Sequence, residues 1–197
     1  MSSGPFDVLI IGEVNVDIIL SGDVVPQFRQ EERLIDDISV CAGGSSAIFA
    51  AGAAKMGLRV LLASIVGDDL FGHFMIEALW GAGVDVSLVR VDRSVKTGAT
   101  VILSRGQDRA MLTYLGSMAA ITPDDLDASW YGQARHLHVA SPFLLTGLRE
   151  AMPAMMRSAK AAGMSVSLDT NWDPQQRWAL DGFFDHLDVF LPNDREL

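Results

Sequence analysis

AGGSSAIFAAGAAKMGLRVLLASIVGDDLFG, residues 42–72, is the stretch that decides the fold class. Ala47, Ile48, Ala51, Ala54 and Leu58 recur at helical spacing, Ser45 or Ser46 can cap the start, and Gly57 suits the position just past the end. So many alanines on one helix imply that it lies very close to its neighbours. Val60–Ile65 follows as a continuous apolar run of strand length, the pattern of a strand buried on both faces. Phe71, Phe74, Met75, Ala78 and Leu79 then mark a second amphipathic helix, closed by Gly81–Ala82–Gly83. Helix, buried strand and helix in direct succession are the unit of a parallel α/β sheet.

The same rhythm extends outward on both sides. Val8–Ile11 is another doubly buried strand, and LHVA at 137–140, SVSLD at 165–169 and VFL at 189–191 read likewise. A helix is predicted over 148–162, with Pro153 in its first turn or kinking it, and an irregular helical patch over 174–180. At the far end Asn193, followed three residues later by Glu196, reads as a helix N-cap with its reciprocal acid. Two stretches break the rhythm. Residues 97–116 hold two β-rich runs flanking Arg105–Gly106–Gln107–Asp108, a predicted hairpin. Glu32–Leu34 and Ser39–Cys41 read as two further strands. These pieces are assigned to a small accessory sheet outside the main one.

Composition excludes several functions. The 197 residues are 49% hydrophobic and 20% charged, a globular balance, and the formal net charge of −10 argues against affinity for nucleic acid or an anionic membrane. It leaves an anionic small-molecule substrate open, because a local site can oppose the global sign. The one cysteine, Cys41, allows no intrachain disulfide, and the apolar runs are too short for a signal peptide or a membrane span. A cytoplasmic protein is expected.

In an open parallel sheet the ligand crevice lies beyond the carboxyl ends of the strands. After the first strand come Glu13, Asn15 and Asp17, spaced by two; after SVSL come Asp169 and Asn171; after VFLP come Asn193 and Glu196. Carboxylates and carboxamides delivered to one sheet edge suit hydroxyl recognition and indirect Mg2+ binding. CAGGSS at 41–46 adds a glycine pair leading into a helix, where backbone and ligand can approach closely. The first strand is followed by GEVNVD and not G-x-G-x-x-G, and no Walker-type phosphate loop occurs. His136 and His138 share a strand face and read as packed imidazoles before a metal pair, Cys41 has no nearby histidine to activate it, and Met152, Met155 and Met156 read as core.

Taken in order, these elements resemble the PfkB-type (ribokinase-like) carbohydrate kinases. IIGEVNVDIIL resembles the family's opening strand with its N-x-D, and residues 42–72 resemble its glycine-rich first signature. SLDTNWDP is similar to the D-P-N stretch and FLPNDREL to the N-x-x-E motif. The resemblance implies a ribokinase-like α/β/α sandwich with a mostly parallel sheet and a small β-sheet lid, its strands within about 31–42 and 95–116. It implies ATP-dependent phosphorylation of a sugar or nucleoside hydroxyl with Mg2+ as cofactor, and it allows a homodimer through the lid.

By position, Asn15, Asp17, Gly43, Gly44 and Asn171 would bind the acceptor, Asn193 and Asp169 would organise the ATP phosphates, and Glu196 would serve the metal. Two positions depart from the family pattern: Ile48 stands where an Asn usually contacts the acceptor, and Asp173 where a basic residue often follows. The family's second glycine-rich signature, with its aspartate base, is not found in residues 1–197. The chain is therefore expected to be one incomplete domain, the N-terminal two-thirds of the family fold with its C-terminal part missing. It is expected to have no catalytic residue of its own and to be inactive alone. The alternative is a non-catalytic polyol-binding or lid-dimerising fragment.

Overall fold

The computed structural model describes residues 5–196. In chain order the elements are β1 (Phe6–Ile11), β2 (Asn15–Ser21), β3 (Asp37–Gly43), α1 (Ser45–Lys55), β4 (Val60–Gly67), α2 (Leu70–Gly81), β5 (Asp85–Asp92), β6 (Gly98–Arg105), β7 (Asp108–Tyr114), β8 (Ala134–Ala140), α3 (Met152–Ala161), β9 (Ser165–Asp169) and β10 (Val189–Phe190). Six strands form a wholly parallel sheet in the order β10-β9-β8-β1-β4-β5. The other four form a mixed sheet in the order β3-β2-β6-β7.

β1 lies at the centre of the main sheet beside β8, and β4 lies inside the β5 edge; both β1 and β4 are apolar at successive positions, and every residue of β4 is buried. Alternate side chains leave a strand on opposite faces. Val8 and Ile10 therefore join a core with α1 and α2, while Leu9 and Ile11 join a second core with α3. Ala47, Ala50 and Ala53 let α1 lie close to the sheet, and Met152, Met155, Met156 and Ala159 line the buried stripe of α3. Full burial of each large apolar side chain is worth roughly 1.5–3 kcal/mol. Sandwiched from both sides, β1 has one register open to it.

Only Gly12, Glu13 and Val14 separate β1 from β2, so one continuous segment serves both sheets. In the mixed sheet, directly paired residues share a face. Ile18, Val40, Val101 and Leu112 line one side, and Asp17, Cys41, Thr100 and Thr113 line the other.

Several expectations are corrected. Glu32–Leu34 is exposed chain with no strand partner among the described residues; β3 pairs instead with β2, a strand not separated in the sequence from the extended segment carrying Asn15 and Asp17. Residues 174–180 are turns, because Asp173 draws in the backbone N–H groups of Gln175, Arg177 and Trp178, and Gln176 and Trp178 take φ of 52° and 50°. The third helix starts at Met152 after a single 3-10 turn at Arg149–Ala151, with Pro153 in its first turn. Strand β5 extends the main sheet by an edge not read from the sequence. Strands and ion pairs run on to Phe190, with Lys160 Nζ 2.6 Å from Asp188, so the expectation of a fold with its C-terminal part missing is withdrawn. Among the described residues no helix is long and apolar enough to cross a membrane.

Asp69 fixes how α2 meets the start of β6, since its carboxylate accepts from Gly72 N at 2.9 Å and from Thr97 N at 2.8 Å. Asp69→Ala should lower the unfolding free energy by about 1–2 kcal/mol, seen as a lower urea midpoint with unchanged far-UV circular dichroism. An unaltered midpoint would remove this role.

Candidate functional site

The chain leaves the main sheet through Glu13, which is 1% exposed. Its Oε2 accepts from Ser46 Oγ at 2.6 Å, and its Oε1 accepts from Ser141 Oγ at 2.7 Å and from Ser46 N at 3.3 Å. Burial pushes the carboxyl above its ordinary range, while the three donors pull the other way. The expected serine cap of α1 is thereby corrected. Gly44 is the N-cap and has no side chain to offer, and the carboxylate at the positive end of the helix comes from Glu13. Ser141, held at φ 52°, also donates its N–H to Asp169 O at 3.0 Å. The ends of β1, α1, β8 and β9 are joined at one edge, and Glu13 itself is locked inside.

Asn15 and Asp17 stand on the polar face of β2. Asn15 is buried, and its Nδ2 donates to Asp17 Oδ1 at 3.0 Å and lies 3.5 Å from Thr100 Oγ1. Burial raises the Asp17 carboxyl; the bond from Asn15 and the charge of Arg109 on β7 oppose it. The glycine pair explains itself here. A methyl group on Gly43 would collide with the Asp17 carboxylate, and Gly44, at φ 85°, packs against the Asn15 carboxamide. Asn15, Asp17, Gly43 and Gly44 thus form one cradle, with no hydrogen bond to the second Asp17 oxygen among the described residues.

A second group gathers at the ends of β9 and β10. Glu196 Oε2 accepts from Thr170 Oγ1 at 3.0 Å and from Asn193 N at 3.2 Å, and Glu196 Oε1 accepts from Asn193 Nδ2. Arg195 N donates to Asn193 Oδ1 at 2.8 Å, so the capping pattern read at Asn193 is formed. Burial raises the Asp169 carboxyl, the backbone N–H and the side chain of Asn171 pull it down, and the nearby charge of Glu196 raises it again. Asn171 sits at φ 51°, and among the described residues its buried Nδ2 makes no close hydrogen bond, although its side chain lies near enough to Asp169 to act on that carboxyl. No hydrogen bond or ion pair joins this group directly to the Asn15–Asp17 cradle among the described residues; Glu13 and Ser141 link them.

Other candidates are structural. His138 stacks on Phe49 with ring centroids 3.8 Å apart, and Ser167 Oγ lies between it and His136, at 2.8 Å and 2.6 Å. Burial lowers His138 to about 4. Burial raises the Cys41 thiol, whose Sγ donates to Asp17 O at 3.8 Å. Asp173 is turned inward onto its own loop, whereas Ile48 is 55% exposed on the first turn of α1. Thr100, Thr113 and Arg109 were not read as site residues. Their signal was the alternation along β6 and β7, which points to the cradle only once β2 is known to pair with β6.

A parallel sheet layered by helices on both faces, joined through three residues to a mixed sheet, defines a ribokinase-like α/β fold. The sequence model of the pfkB family carbohydrate kinases matches residues 6–197, and the chain belongs to that family. It is 31% identical over 96% of its length to the ATP-dependent ribose-1-phosphate kinase of Halopiger xanaduensis. It is 30% identical over 86% of its length to the 5-dehydro-2-deoxygluconokinase of Shouchella clausii. The crystal structure of a PfkB protein from Polaromonas sp. JS666 superposes with a TM-score of 0.81 at 27% identity, over 95% of this chain and 65% of that one. The chain spans 62% and 52% of the length of the two kinases. The family match takes in nearly the whole chain, which corrects the expectation of an N-terminal two-thirds only. The expectations tied to it, a missing catalytic-base loop, inactivity alone and a non-catalytic fragment, are withdrawn with it.

Glu13→Ala leaves two hydroxyls and a helix N–H without their acceptor, and should cost about 2–4 kcal/mol in urea unfolding. The pH dependence has a definite sign. Because the folded carboxyl is raised above its ordinary value of 4.5, the stability it contributes is present below that value and lost as pH rises through the folded one. Glu13→Gln should flatten this fall, and a slope identical in parent and variant would contradict the assignment.

Proposed function

We propose that this chain binds the acceptor in ATP-dependent phosphoryl transfer to a sugar or nucleoside hydroxyl. The observation that carries the reading is the Asn15-held Asp17 carboxylate lying against side-chain-free Gly43. Asn15 fixes one oxygen of Asp17, and the other is directed to accept from a hydroxyl. The mixed sheet acts as a lid that closes this polar face over the acceptor. Phosphoryl transfer asks mainly for positioning and charge neutralisation, and a preset carboxylate supplies the first.

The group at β9 and β10 fits the phosphate end of the same site. Asn193 offers a carboxamide, the buried Asn171 Nδ2 makes no close hydrogen bond among the described residues, and the charge of Glu196 helps to raise the Asp169 carboxyl. Glu196 already accepts three protein hydrogen bonds, and no cluster of three or more His, Cys, Asp or Glu able to hold a metal occurs among the described residues. That donor set suits a hydrated Mg2+ held through water by Asp169 and Glu196 rather than a protein cage. When bound with ATP, the ion supplies neutralisation of phosphate charge. The outer face of the lid carries exposed Ile38, Val40, Leu112 and Tyr114, which a second copy of the chain would cover.

Calorimetric titration with ribose, fructose, a 2-dehydro-3-deoxy sugar acid and adenosine, each with Mg·ATP, tests the acceptor site. One acceptor should bind saturably, and Asp17→Asn and Gly43→Ala should each weaken it by about tenfold or more. Binding unaffected by both substitutions, or no binding across the panel, would overturn the reading. For the lid, Leu112→Glu should shift a dimer to monomer in sedimentation; a parent that sediments as a monomer at all concentrations would exclude the pairing.

A further inference from the structure

A cavity of about 510 Å3 lies away from the acceptor cradle, between the β4–β5 edge of the main sheet and residues 121–130. It exists because that segment crosses the sheet with two single 3-10 turns, Pro123–Asp125 and Ala128–Trp130, and no full helix. Its interior is apolar, with Ile65 and Leu88 from the sheet opposite Leu126 and Trp130. The volume falls within the range of small-molecule sites.

The charges at its edge are unequal in their commitments. Arg90 is held on both sides, 2.5 Å from Asp92 and 2.8 Å from Asp125. Asp125 is further occupied, because its Oδ2 accepts from Thr122 N at 2.8 Å and from Thr122 Oγ1 at 3.0 Å. Asp124 is exposed and has no hydrogen-bond or ion-pair partner among the described residues. The uncommitted charge on the cavity lining is therefore negative, and an aromatic ring, that of Trp130, lines the same cavity.

We infer that this cavity binds a small organic cation, an ammonium group carried on a flat apolar body. The body fills the space between Leu88 and Trp130, and the ammonium meets Asp124 at the edge, where an indole face adds cation–π attraction. An anion would be drawn only to Arg90, whose guanidinium is already paired twice. Ser64, on the cavity wall, donates to Gly12 O at 2.7 Å, so a bound cation would rest against the strand that leads into Glu13.

The test is a titration with phenethylammonium, with 2-phenylethanol and 3-phenylpropionate as its neutral and anionic counterparts, followed by amide chemical shifts. Phenethylammonium should bind saturably, with shifts centred on Leu88, Leu126 and Trp130. Asp124→Asn, an exposed substitution, should weaken it by about tenfold and bring it level with 2-phenylethanol. Asp17→Asn should leave it unchanged, which separates this site from the acceptor site. Absence of saturable binding, equal or tighter binding of the anion, or indifference to Asp124→Asn would each overturn the inference.

Discussion

The buried carboxylate of Glu13 is the constraint from which the rest of the site follows. An isolated charge at 1% exposure would be costly, so its surroundings must supply donors, and they come from two distant segments. Ser46 brings the start of α1, and Ser141 brings the end of β8. Neither segment could shift without leaving a buried oxygen unpaired, a loss of about 1–3 kcal/mol for each group. The position of the glycine pair is set by the same bonds, because Gly44 lies two residues before Ser46. The cradle is rigid because a residue outside it is satisfied.

Glu13 also sits at the crossing between sheets. The chain passes from the centre of the parallel sheet to the centre of the mixed one in three residues, too few for slack. The polar face of β2 must therefore look along the edge where β8 and β9 end, and its apolar face must turn outward. At the near end of that apolar face Val16 and Ala42 join the α1–α2 core, while at the far end Ile38 and Val40 stand exposed. One strand is thus half core and half surface. A β-sheet with this division is held at its base and free at its tip, the distribution of packing expected of an element that moves.

How much of this could be read in the sequence depends on the range of the interaction. β1, β4 and the second helix announce themselves through uninterrupted local patterns, and the hairpin over 97–116 through its turn residues. What escapes is non-local. Asn15–Ser21 reads only as an extended continuation of the first strand until Gly43 and Gly98 are brought to either side of Asn15. Asp85–Asp92 is an edge strand, paired on one side, and lacks the apolar run of a central one. Ser45 and Ser46 satisfy every local rule for a helix cap, yet a carboxylate 33 residues away takes the donor. The turns over 174–180 defeat a helical reading because Asp173 competes for backbone N–H groups more strongly than weak helical spacing can.

The polar residues spaced by two after the first strand show the same limit at the level of single residues. Glu13 and Asp17 are alike in charge and lie four positions apart on a segment of extended backbone. Glu13 precedes β2 and meets three donors in the core, so it serves as a joint. Asp17 lies on β2 and meets one carboxamide, one distant guanidinium and a glycine with nothing to fill the space, so it retains an open oxygen. Spacing placed both near the ends of the strands; only the count of donors around each separates the group that is fully satisfied from the group with an oxygen left over among the described residues. The same count applies to Asn171, whose buried side-chain nitrogen makes no close hydrogen bond among the described residues while its side chain still helps to lower the neighbouring Asp169 carboxyl. Donors in excess at one point and carboxylate charge in excess at the next are what a polyanionic ligand carried with a cation would satisfy together.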